Sequence, residues 1–193
     1  MLKIEIKHFC FLILIMINNI ALSQQQSNVA FIDGHKHQLG IGISKFVNAA
    51  FPSDSNAFLL EYRYLKSPKI SYRVAGDYRL DTGVDDFYEI GIKIGLDTPL
   101  KNIKRWYFYY GADFSAKYLE YGKRNQKFTN LVINPFLGIL YRFNSSFSIS
   151  SEPGFLVKYN ISKEGRTFNP ENQRNWFESR LAKVGYIQLN FHF

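Results

Sequence analysis

Cysteine is all but missing from this 193-residue chain: the single one, Cys10, sits inside an apolar stretch near the start. The region beyond residue 23 therefore has no disulfide to staple it, no thiol nucleophile and no cysteine for a lipid anchor. Long hydrophobic runs are missing too. The longest, residues 9–17, is far shorter than the roughly 20 residues that a membrane-spanning helix needs. Histidine is scarce, and beyond residue 23 only His35, His37 and His192 remain for general-base or metal chemistry. Helical periodicity is nearly absent, so stability is expected from burial and from pairing between strands.

The short apolar run has a different use. Lys3 and Lys7 precede it, and Ala21-Leu22-Ser23 follows it with small residues placed for cleavage before Gln24. Residues 1–23 thus read as a secretory signal peptide, with 24–35 as an N-terminal periplasmic extension. Losing Lys3, Lys7 and Glu5 lowers the net charge of +8 by one. A basic chain suits phosphorylated lipid headgroups or nucleic acid, and export argues against nucleic acid.

What the chain has in abundance is aromatic residues, 17% of the total with 13 Tyr and 18 Phe. They fall in alternating patterns. Residues 187–193 place Ile187, Leu189, Phe191 and Phe193 on one face of a strand and Gln188, Asn190 and His192 on the other. A terminal strand frays unless it is paired along its length, and a closed barrel pairs its last strand with its first. Eight such segments are expected, at 37–47, 57–66, 70–80, 88–96, 106–117, 133–142, 147–158 and about 179–193. Short connections at 67–69 and 144–146 alternate with longer ones at 48–56, 119–129 and 160–178, while 98–104 is intermediate and 81–86 is short. Alternating segments of this length joined in this rhythm predict an all-β, eight-stranded antiparallel up-and-down barrel over residues 36–193.

Which face lies inside follows from glycine. Gly40, Gly42, Gly91, Gly95, Gly111, Gly138 and Gly154 all fall on the polar face, where a solvent-exposed strand would gain nothing from them but a crowded lumen needs small residues. The apolar face carries no charge through the middle of any segment and is capped by Tyr62, Tyr64, Tyr78, Tyr88, Trp106, Tyr110 and Tyr141. Apolar outside and charged inside is the arrangement of a transmembrane barrel.

The stretch from Pro135 to Phe143, followed by Phe147-Ser148 and Glu152, resembles the outer-membrane β-barrel domains of Bacteroidota, and the whole resembles small OmpA/OmpX-type barrels. That resemblance implies a bacterial outer-membrane location, a monomer in contact with outer-membrane lipid and lipopolysaccharide, and a C-terminal signal at Phe191 and Phe193 read by the barrel-assembly machinery.

The inward charges form the principal candidate site: Glu61, Arg63, Arg73, Asp77, Arg79, Glu89, Lys93, Asp113, Lys117, Arg142, Glu152, Lys158 and Arg180. Mixed signs at these positions can pair across the lumen and plug it, giving a structural or surface-interaction protein. A small-solute channel that uses the same charges as a filter is the alternative. A lipid A-modifying enzyme is a further alternative, but no His-x-Ser sequence is present and the three histidines are expected at the periplasmic end. Neither catalysis nor a cofactor is expected. His35 and His37 beside Asp33 lack a further convincing metal ligand and mark the start of the first strand. In the third long loop Lys123, Arg124 and Lys127 form a basic cluster suited to lipopolysaccharide phosphates.

Overall fold

A computed structural model describes residues 34–43, 57–83, 86–122, 126–164, 173–182 and 187–193. The expected signal peptide, most of the expected N-terminal extension, Asp33, Lys123 and Arg124 lie outside the described residues. Ten strand pieces occur in chain order: β1 (His37–Gly42), β2 (Leu60–Ser67), β3 (Ile70–Asp81), β4 (Phe87–Ile103), β5 (Trp106–Tyr121), β6 (Gln126–Arg142), β7 (Phe147–Ser151), β8 (Phe155–Glu164), β9 (Gln173–Leu181) and β10 (Ile187–His192). All pair antiparallel.

These pieces make eight barrel strands. β6 pairs with β7 over its C-terminal part and with β8 over its N-terminal part, and the register runs on from Ile139↔Ser151 through an isolated bridge, Phe136↔Gly154, to Ile133↔Val157. Pro153 interrupts that strand because it has no N–H to donate. β9 and β10 similarly form the eighth strand, pairing with β8 and β7. Closure comes from β1, which pairs with both β2 and β10. His37 and Phe193 exchange backbone hydrogen bonds of 3.0 and 2.9 Å at the seam. The expected eight-stranded antiparallel barrel is thus the observed fold.

Several strands exceed their expected bounds. β5 and β6 pair out to Tyr121↔Gln126, so 119–129 is a tall hairpin rather than a long loop. β8 and β9 likewise pair as far as Lys163↔Gln173, inside the expected loop at 160–178. The connection expected at 98–104 is strand as well: β4 continues past a bulge between Pro99 and Lys101 and turns at Lys104-Arg105. A proline within a strand is accommodated by such a bulge.

The barrel has two unlike ends. Tight turns at 68–69, 104–105 and 143–146 gather at one, together with His37 and Phe193; this is the turn end. The strand ends at Gly42, Leu60, Asp81, Phe87, Tyr121, Gln126, Glu164 and Gln173 lie at the other, the mouth.

Sidedness is sharp. Ile92, Ile94 and Leu96 on β4 are 58%, 55% and 47% exposed, whereas Lys93 between them is 1% exposed. The outward aliphatic residues lie between two aromatic groups. Toward the turn end are Trp106 against Tyr141, Phe147 against Phe191, and Phe193 stacked on His37. Toward the mouth are Tyr78 against Tyr88, Tyr88 against Tyr118, and Tyr159 against Phe177.

The inward face is crowded where glycine was expected to matter. A Cβ on Gly138 would fall within the Tyr109 ring, and one on Gly95 would collide with the Asp113 carboxylate. Tyr107, Tyr109, Phe136 and Leu140 pack together toward the turn end, and Val132, Leu156 and Ala182 form a second buried cluster.

Candidate functional site

Strand parity brings polar residues from every wall into one lumen, and the charges among them sort into three groups. The central group consists of Arg63, Arg73, Lys93, Glu61, Asp97, Asp113 and Glu152, none more than 3% exposed. Arg73 is its hub: it donates through Nε to Glu61 at 3.1 Å and through a terminal nitrogen to Glu152 at 2.6 Å, with Asp113 3.8 Å away. Lys93 contacts the other Glu61 oxygen at 2.5 Å and stands 3.6 Å from Asp113. Arg63 spans Asp97 and Glu152, each at 3.1 Å.

Aromatic rings complete the packing around these cations. Arg63 lies 4.4 Å from the Tyr109 ring centre and Arg73 4.5 Å from that of Phe136. The Tyr109 hydroxyl donates to Glu152 at 2.7 Å. A buried charge is tolerable only when paired and hydrogen-bonded, and a ring face adds attraction for the cation. Such a cluster ties β2, β3, β4, β5 and the seventh strand together across the lumen.

A second group lies toward the mouth. Lys117 donates to Asp77 at 3.0 Å, to Glu89 at 3.3 Å and to the Ala57 carbonyl at 3.0 Å, with its ammonium over the Phe58 ring. The third group is looser: Lys158 meets Glu178 at 3.4 Å and Arg180 meets Glu178 at 2.7 Å, with Glu178 and Arg180 about one-third exposed.

Three expected lumen positions differ from expectation. Arg79 is exposed, with its guanidinium 5.2 Å from the Phe87 ring centre, because β3 at that height has risen into the open mouth. Arg142 is half-buried at the turn end, and Arg180 belongs to the half-exposed group with Glu178. Asp97 was not expected at all. It extends the polar face one step beyond Leu96, and reading 98–104 as a connection ended that face too soon. Glu178 lies in β9, at the end of the stretch 160–178 that the sequence pattern leaves as a connection.

A polar ladder lines the seam. Gln38 donates to Asn190 at 2.9 Å, Asn190 donates to Ser148 and Ser150, and the Ser148 hydroxyl lies 2.7 Å from His192 Nε2. A serine beside a histidine invites a nucleophile–base reading. Ser148 is fully buried and His192 is 2% exposed, so the pair is enclosed within the seam ladder. His37 instead faces outward, with Nδ1 2.6 Å from the Tyr62 hydroxyl. Among the described residues no cluster of three metal-ligating side chains occurs.

Of the basic loop cluster, Lys127 is described. It lies beyond the mouth-side tyrosines and pairs with Glu120 at 3.1 Å, while the Tyr118 hydroxyl donates to the same carboxylate at 2.8 Å. The Tyr118 hydrogen bond, followed by that from Lys127, holds the Glu120 carboxyl below its usual range. Phe191 and Phe193 face outward, 41% and 49% exposed. No protein-family model, no curated protein and no solved structure matches this chain.

Proposed function

We propose that this chain is an integral outer-membrane β-barrel with a plugged polar lumen, serving a structural or surface-interaction role rather than catalysis. The contrast between the two faces carries the reading. An outward belt of Ile, Leu, Val and Phe, bounded at both ends by aromatic rings, is far larger than the apolar patches that water-soluble monomers expose. Hydrocarbon satisfies such a belt, and aromatic girdles suit its two interfaces. The buried central network supports the plug, since its side chains occupy the space that a pore needs.

Liposome flotation and planar-bilayer recordings test this reading. The folded chain is expected to float with vesicles after carbonate washing and to show no steady conductance. Recovery in the soluble fraction would refute the membrane assignment. A second reading, a small-solute channel, draws on the amides of Gln188 and Asn134, which are buried without a protein partner and so call for water. A trace that stays closed in both Arg73→Ala and Arg142→Ala would eliminate it. Lys123, Arg124 and Lys127 are proposed to meet lipopolysaccharide phosphates. Unchanged lipopolysaccharide affinity after replacing all three with Ala would count against that contact.

A further inference from the structure

The β8–β9 hairpin builds a graded wall. Its inward pairs, read toward the mouth, are Leu156↔Arg180, Lys158↔Glu178, Asn160↔Trp176 and Ser162↔Arg174. At the lowest level Leu156 packs on Val132 and Ala182. The Lys158–Glu178–Arg180 ion chain follows. Near the top of the wall is an open pocket of about 710 Å³, lined by Phe128, Ser162, Gln173, Arg174, Asn175 and Trp176.

The chemistry of that lining is mixed in a particular way. Trp176 is 42% exposed and Phe128 is half-buried, so two aromatic surfaces remain available. Ser162 supplies a hydroxyl at the floor of the pocket, 4% exposed, and Gln173 and Asn175 supply amides. Arg174 makes no ion pair among the described residues and sits at the level farthest from the barrel interior.

We propose that this mouth pocket binds a saccharide bearing an anionic substituent. Aromatic surfaces pack against the C–H faces of a sugar ring while hydroxyl and amide groups exchange hydrogen bonds with its hydroxyls, and a few placed polar groups on such a surface fix orientation. The Arg174 guanidinium matches a carboxylate or phosphate through paired donors. A purely apolar ligand would leave the four polar lining residues unmatched. A bare inorganic anion would find one cation, with Glu178 below it, and would make no use of the rings.

The inference rests on the proposed surface-interaction role, yet its test is separate from flotation. The chain has two tryptophans, Trp106 and Trp176, so Trp106→Phe leaves Trp176 as the one tryptophan, excited selectively over the tyrosines at the red edge of absorption. In non-ionic detergent micelles, oligogalacturonate is expected to change the Trp176 emission saturably at micromolar to millimolar concentrations. Arg174→Gln should weaken it about tenfold, as the loss of one charge-assisted contact does. Neutral maltooligosaccharides should bind more weakly, with an affinity that Arg174→Gln leaves unchanged. Calorimetry on the unsubstituted chain reads the same binding without relying on Trp106→Phe. The proposal is overturned if neither method detects oligogalacturonate, if neutral and acidic saccharides bind alike, or if Arg174→Gln and Ser162→Ala both leave affinity unchanged.

Discussion

The charges around Arg73 and those around Glu178 use the same side-chain chemistry in two environments. Around Arg73 every partner is almost fully buried, each carboxylate lies within 4 Å of a cation, and two guanidiniums rest against aromatic rings. Around Glu178 two of the three charges are about one-third exposed. Burial, not ion-pair count, sets what each cluster is worth. Removing one member of a buried network strands its partners without water, whereas an exposed pair exchanges one solvated state for another.

Arg73→Ala should break that contrast most severely. It leaves Glu61 and Glu152 short of a partner, and a loss of about 3–5 kcal/mol in urea unfolding from micelles is expected. Gly138→Leu sharpens the same point through volume rather than charge. Its side chain must displace the Tyr109 ring, which itself holds Glu152, so a loss of about 1–3 kcal/mol is expected from the same measurement. Glu178→Gln should cost at most about 1 kcal/mol, because water screens the pair it removes.

The smallest effect belongs to Glu120, beyond the mouth-side tyrosines. Its carboxyl is depressed when folded, so its stabilisation is complete above the ordinary carboxylate range and is lost as pH falls through the lowered value. Glu120→Gln should therefore shift the melting temperature by less than about 2 °C at neutral pH. That difference should vanish on the acid side, where the parent's Glu120 is protonated and its stabilisation already lost. If Glu178→Gln proved as damaging as Arg73→Ala, the ranking by burial would fail.

Much of the barrel was legible because period-two alternation in the chain is what a two-faced wall requires. It failed where the two faces stop differing. In 119–129 and 160–178 both faces carry polar residues, so the hydrophobic signal fades while backbone pairing continues. Arg79 illustrates the same limit, since parity assigns a face but not whether that face is enclosed at that height. Asp97 was hidden by Pro99: a proline reads as a strand end, yet here it sits at a bulge and the inward face continues. The partners themselves, such as Glu152 reaching Arg63 across 89 positions, depend on closure and on register, which local pattern does not encode.

Glu152 stands where Pro153 interrupts the seventh strand, and from there its carboxylate meets Arg63 of β2, Arg73 of β3 and Tyr109 of β5. The strands that precede it in the chain already supply Asp97 to Arg63 and Glu61 and Asp113 to Arg73, so Glu152 is the one carboxylate of this network that the late half of the wall contributes. Its carboxylate fastens that late half to both arginines and to the Tyr109 hydroxyl. A half-closed barrel therefore lacks these charge-assisted bonds as well as having an open edge.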